Sequence, residues 1–274
     1  MSRPGLALRL AVLAAAFLLA APLQWLATRR GWRLAGRIPV SFHRLFLRLF
    51  AIRVRVAGVP PAPAAPTLVL ANHVSWLDIP VMSGLMPLSF IAKQEIAAWP
   101  LFGTLARLQR CIFVDRARKA ATAEVNEIVA QRLAGGDVIV LFPEGTTGDG
   151  LRLLPFRSSL VGAARAALVD PALDTIVLQP LAIAYTGRDG LPVTRREMPS
   201  IAWYGDMELP PHLTEFVRRG PLDVVVTWGN PIPFGAATDR KRATAEAEGA
   251  VRAAIRTVRK REHASAILLP RRKS

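Results

Sequence analysis

The stretch from Thr67 to Leu85 constrains the fold more than any other part of the chain. Thr67-Leu68-Val69-Leu70-Ala71 reads as a short buried strand that ends abruptly in Asn72-His73, and apolar sequence resumes after Asp78, from Ile79 to Leu85. An apolar strand running through a polar turn into a second apolar segment is a strand-to-helix unit. Such turns are where α/β proteins carry their working groups. A neutral imidazole with a carboxylate in reach is a general base whose tautomer and orientation are fixed by its partner. The competing reading of the same residues is structural: a histidine at a helix start and an aspartate in its first turn.

The rest of the chain repeats the alternation. Ser89 to Ala92 and Cys111 to Val114 read as strands, and the helix between them starts at Trp99-Pro100 with proline in its first turn. Lys119 to Leu133 is a helix stopped by Gly135-Gly136, and Asp137 to Phe142 is the most apolar strand. That strand delivers Pro143-Glu144-Gly145-Thr146-Thr147-Gly148-Asp149-Gly150, a loop too rich in Gly and Thr for a plain connector. A small-residue helix follows (Leu160 to Val169), then strands at Thr175 to Ala184, broken by Pro180, and at Leu222 to Trp228. A basic helix (about Asp239 to Glu262) and the tail Arg271-Arg272-Lys273 close the chain. The expected class is α/β, a mostly parallel sheet flanked by helices.

Charge and hydropathy set the N-terminal segment apart. The 274-residue chain is 51% hydrophobic, with formal charge +16, yet no acid precedes Asp78 while ten arginines do. Leu10 to Ala27 is apolar apart from Gln24, long enough to span a bilayer and short enough to lie deep in its interface. A cleaved signal peptide is the rival reading. Arg29, Arg30, Arg33 and Arg37 after the segment would hold that side in the cytoplasm, which favours a retained membrane helix. Ile38 to Val56 reads as an in-plane amphipathic helix with Arg44 and Arg48 facing headgroups, or as an ordinary core helix. The proline-rich run from Pro60 to Pro66 reads as a stiff linker, so residues 1–58 are expected to form a membrane-anchoring helical segment and 59–274 the α/β domain. Anionic lipid is the expected partner, because no nucleic-acid motif accompanies the basic residues.

Three strand ends present polar groups: His73 with Asp78, Arg116, and Glu144 with its Gly-Thr loop. In a parallel sheet these ends converge on one crevice. Together they would hold a base, its orienting acid, a cation, and backbone N–H groups suited to a phosphate or an oxyanion. A serine-hydrolase elbow, a P-loop and a dinucleotide fingerprint are all absent from the sequence. His43, His212 and His263 lack metal-ligand spacing to His73, and the lone Cys111 reads as a small core residue.

Asn72-His73-(four residues)-Asp78, the block from Lys93 to Gly103 with Arg116, Phe142-Pro143-Glu144-Gly145-Thr146, and the strand around Pro180 resemble, in order and spacing, the four blocks of the glycerolipid acyltransferases. Lysophosphatidic acid acyltransferases are central members of that family. The likeness covers roughly residues 65 to 185 and extends to the N-terminal membrane helix. It implies that His73 takes the proton of a lysolipid hydroxyl attacking an acyl thioester, with Asp78 holding the imidazole. It assigns the acceptor to Arg116, Glu144, Gly145, Thr146 and Thr147, with Lys93 assisting. No metal, cofactor or covalent enzyme intermediate is implied, acyl-CoA or acyl carrier protein being the co-substrate. The implied location is the inner (cytoplasmic) membrane, with the site on the cytoplasmic side.

One departure bears on the acceptor. Many members carry an arginine where this chain has Thr147, which weakens the case for a phosphomonoester; Arg157 is the nearest substitute considered. Thr146-Thr147-Gly148-Asp149-Gly150 and Pro155-Phe156-Arg157-Ser158-Ser159 are similar to the lyso-ornithine lipid acyltransferase branch. The expectation is therefore lysophosphatidic acid, with lyso-ornithine lipid or another lysolipid as the alternative. A non-catalytic lipid-binding protein is the third reading. Ile201 to Met207 lies outside the shared blocks and reads as an amphipathic strand or turn.

Overall fold

The computed structural model describes residues 3–115, 119–162, 165, 168 and 174–267. Two helices, α1 (Arg3–Arg29) and α2 (Leu34–Leu49), lead into β1 (Ile52–Ala57), β2 (Thr67–Ala71) and α3 (Asp78–Ser83). There follow β3 (Ser89–Lys93), α4 (Phe102–Leu108), β4 (Ile112–Val114), α5 (Lys119–Ala134) and β5 (Val138–Leu141). The second half carries β6 (Thr175–Arg188), β7 (Leu191–Pro192), α6 (Leu209–Arg218), β8 (Leu222–Trp228), β9 (Ile232–Gly235) and α7 (Arg240–Ile267). Arg116, half of the expected helix from Leu160 to Val169 and the basic tail lie outside the described residues.

The strands form one sheet in the order β1-β8-β6-β2-β5-β3-β4, with β7 and β9 also paired to β6. Pairing is parallel from β6 through β2, β5 and β3 to β4, and again between β1 and β8. Only the partners β8, β7 and β9 run antiparallel to β6. A core covers each face. Val69, Ala71, Val140, Leu181 and Ile183 pack with α2, α3 and α6, and Leu68, Leu70, Ile139, Leu141 and Leu178 pack with α5 and α7. This is why Thr67 to Ala71 is buried at every position instead of alternating. The odd-numbered residues of β2 point toward α3, and the same parity carries His73 to that side.

The structure departs from the sequence reading at the N-terminal boundary. Ile52–Ala57 is not the end of the second helix but a strand, paired in register from Ile52↔Leu222 to Ala57↔Thr227. Its Ile-Arg-Val-Arg-Val alternation is a period-two pattern, which the apolar helix before it obscures. Residues 60–66 therefore connect two strands of one sheet, and the expected boundary at 58/59 falls between them. Pro180 does not break β6. The antiparallel partner of β6 changes from β9 (through Leu178) to β8 (from Leu181) at this point, so the missing N–H falls in the gap.

α1 is long and apolar enough to cross a membrane, with mean hydropathy 2.2 over its apolar window. Leu8, Leu10, Leu18, Leu19, Leu23 and Trp25 are exposed on it. Its other side is docked: Gln24 is buried and its Nε2 donates to Ala35 O (2.9 Å) and Leu108 O (2.8 Å), joining α1 to α2 and α4. α2 in turn rests on α3. Arg44, expected at headgroups, donates from Nε to Gly84 O (2.8 Å) and from Nη2 to Leu85 O (3.3 Å), the carbonyls just past α3.

Candidate active site

β2 and β5 are parallel neighbours, so their carboxyl ends place Asn72-His73 beside Phe142-Pro143-Glu144. Asn72 extends the β2–β6 ladder with its side chain, donating from Nδ2 to Ile183 O (3.0 Å) and accepting from Ile183 N–H at Oδ1 (2.7 Å). The chain then turns through Ser75 to α3. His73 is gripped by its backbone on two sides: its N–H donates to Glu144 Oε1 (2.6 Å), and its carbonyl accepts from Gly148 N–H (2.8 Å). The ring lies flat on Phe142, centroids 3.8 Å apart and planes 9° apart.

Asp78 is fully buried and accepts four hydrogen bonds. Oδ2 takes His73 Nδ1–H (2.8 Å), Val74 N–H (2.7 Å) and Ser75 N–H (3.0 Å), while Oδ1 takes the Tyr185 hydroxyl (2.6 Å). All four partners are donors, the arrangement a carboxylate requires. With Nδ1–H committed to Asp78, Nε2 of His73 is the nitrogen left to accept a proton. The His73 side chain keeps 19% exposure, so it can be reached. Tyr185 stays a neutral donor: burial first, then the Asp78 charge and hydrogen bond, push its phenol well above the usual value. Tyr185 was not legible in the sequence, because it lies 107 positions from Asp78.

Glu144 is turned inward. Its carboxyl is buried and accepts from His73 N–H at one oxygen and Leu154 N–H (2.9 Å) at the other, so it braces the two loops instead of facing solvent. Burial raises its pKa from 4.5 to about 7, against the opposing pull of those two N–H groups. The loop beyond it is open. Gly145 adopts φ 77° with its N–H donated to Phe142 O (3.1 Å), Thr146 is exposed and Thr147 half-buried. Of the other expected acceptor residues, Lys93 is exposed at the end of β3 and Arg157 is exposed near Pro143, whose carbonyl accepts its N–H (2.9 Å). Neither lines the small cavity next to His73. That cavity is lined by His73, Glu144, Gly150, Arg152, Tyr185 and Met198, among others. Residues 201–207, read as a strand or turn, are a turn that covers the site's flank: Trp203 N–H donates to Val74 O (2.9 Å) and His212 Nε2 to Ala202 O (3.1 Å).

A buried carboxylate that orients a still reachable imidazole is equipped to remove a proton from a hydroxyl. The family model described as Acyltransferase matches residues 53–184. The chain is 44% identical over 233 residues to the lyso-ornithine lipid O-acyltransferase of Brucella abortus, spanning 85% of this chain and 86% of that protein. It is 34% identical over 227 residues to the 1-acyl-sn-glycerol-3-phosphate acyltransferase of Neisseria gonorrhoeae, spanning 80% and 84% respectively. The crystal structure of the 1-acyl-sn-glycerophosphate acyltransferase of Thermotoga maritima shares the fold, with TM-score 0.63 over 92% of this chain and 94% of that one at 19% identity.

Proposed function

The chain belongs to the glycerolipid acyltransferase family and is a lysolipid acyltransferase; from that premise we propose that its acceptor is a lyso-ornithine lipid. The supporting observation is the loop after Glu144. Thr147 stands where a phosphate-binding arginine is common in the family, and the relatives at 44% identity carry the lyso-ornithine name. This reverses the order of acceptors expected from sequence. Lysophosphatidic acid is the second reading, supported by the 34% identity to the Neisseria enzyme.

The reaction follows from the geometry. The lysolipid hydroxyl approaches His73 Nε2, which removes its proton as the oxygen attacks the thioester carbonyl of acyl-CoA or acyl carrier protein. Asp78 stabilises the imidazolium that results, and the ring cannot swing because Phe142 and the backbone grip hold it. The tetrahedral oxyanion takes hydrogen bonds from backbone N–H groups at Thr146 and Thr147, Gly145 N–H being donated to Phe142 O. On collapse the C–S bond breaks, and the thiolate leaves with the proton held by His73. An ester and a free thiol are the products. With α1 on the bilayer and its flanking arginines on the cytoplasmic side, the site draws its acceptor from the inner membrane.

A competition assay tests the acceptor. Equal amounts of lyso-ornithine lipid and lysophosphatidic acid are offered with one labelled donor, and the product ratio is read directly. Ornithine lipid should predominate by at least about tenfold, the discrimination that one lost hydrogen-bonding or charge contact supplies. A predominance of phosphatidic acid would return the function to the second reading.

A further inference from the structure

Arg152 sits beside His73 on a loop that is rigid at its base and free at its tip. Gly148 N–H is bonded to His73 O. Asp149 Oδ1 accepts from Leu151 N–H (2.8 Å) and Arg152 N–H (3.1 Å). Gly150, at φ 71°, is buried so tightly that a Cβ there would collide with Met198 Cε and crowd Val74 Cγ1. From α7, Arg259 donates Nη1 to Leu151 O (2.8 Å) and Nη2 to Gly150 O. The backbone is thus fixed to His73, to the residue after it and to α7. Arg152 is exposed and is among the residues lining the His73 cavity, yet its guanidinium has no hydrogen bond or ion pair among the described residues.

A cation on a fixed backbone near His73, with no side-chain partner among the described residues, is suited to a planar oxyanion brought by substrate. We propose that Arg152 binds the anionic group of the acceptor headgroup, as the single cation of a loop in which Thr147 supplies none. Arg259 holds that loop from α7 and is itself among the residues lining the cavity. The proposal rests on the lysolipid acyltransferase reading. An amino-acid headgroup linked through its amine keeps a carboxylate, and a lysophosphatidic acid keeps a phosphate, so either acceptor presents the required chemistry. The Arg157 alternative is set aside because that side chain does not line the cavity.

The full-length enzyme, with Arg152→Met and Arg152→Lys variants, would be assayed for acceptor and donor KM separately. Acceptors are lyso-ornithine lipid, its methyl ester and lysophosphatidic acid. Neither substitution removes a side-chain bond among the described residues, so thermal melting should be unchanged. Arg152→Met should raise the KM of the charged acceptor about 10–100-fold, as expected for losing a charge-assisted hydrogen-bonded pair. It should leave the donor KM and the methyl-ester KM near wild type, and Arg152→Lys should fall between. A rise in donor KM alone would overturn the proposal by assigning the cation to the donor's phosphates. Unchanged KM values throughout would reduce Arg152 to a surface residue. The function reading is tested by wild type alone: if only lysophosphatidic acid is acylated, the lyso-ornithine reading fails, and the phosphate KM still judges Arg152.

Discussion

Asp78 and Glu144 are both buried carboxyl groups, but they play opposite parts around His73. Asp78 holds the ring, and Asp78→Asn would oppose an amide to donors that need an acceptor. Turnover should fall by about 10²–10⁴, the range of general-base catalysis, because the Nδ1–H tautomer is no longer enforced. Steady-state kinetics on folded variant would check this. Tyr185→Phe leaves the histidine contact intact and strips only Oδ1; it should cost about 1–3 kcal/mol of stability, the penalty of an unsatisfied buried acceptor, read by denaturant titration. Glu144 titrates in the useful range. Its pKa is about 7 in the fold and near the ordinary 4.5 when unfolded, so between these values the folded state binds the extra proton. Stability should therefore fall as pH rises from about 4.5 to 7, by up to ~3 kcal/mol from this group. Thermal melts across that window would show the decline, and Glu144→Gln, which cannot ionise, should flatten it. His73 and Asp78 were legible in sequence because only four residues and one turn separate them. Tyr185, Phe142 stacking and the inward Glu144 were not, because strand pairing across the sheet brings them together.

At the scale of elements, the alternation of apolar strands with helices was enough to give the sheet its class and to bring two of its strand ends to one crevice. It was not enough for Ile52–Ala57, where an alternating strand is masked by the amphipathic helix before it, nor for β6, where proline falls between partners. Arg44 shows the same limit: helical spacing put it on a headgroup face, whereas packing of α2 on α3 turned it to the Gly84 and Leu85 carbonyls. Gln24 interrupts the apolar run of α1 because it fastens that helix to the domain. Gln24→Leu leaves Ala35 O and Leu108 O without these donors, so the protein should lose about 1–3 kcal/mol, checked by melting in detergent. No loss would mean that the polar contact is dispensable and apolar packing alone docks α1.

For the whole molecule, an acid-free, arginine-rich N-terminal quarter with an exposed apolar helix predicts hydrophobic anchoring with an electrostatic component. Removing residues 1–29, which spares β1, should weaken binding to anionic vesicles, and the remaining binding should drop with salt; co-sedimentation would measure both. Undiminished binding would move the anchor to another surface. We propose that His73 activates the acceptor hydroxyl for direct attack on the thioester. Free thiol released from acyl-CoA, followed with and without lysolipid in wild type and His73→Ala, tests it most directly. Wild type should release thiol at a steady rate only when lysolipid is present, and His73→Ala should lose at least about 10²-fold of that rate while still binding vesicles. A His73→Ala enzyme within tenfold of wild type, or a stoichiometric burst of thiol without acceptor, would contradict it.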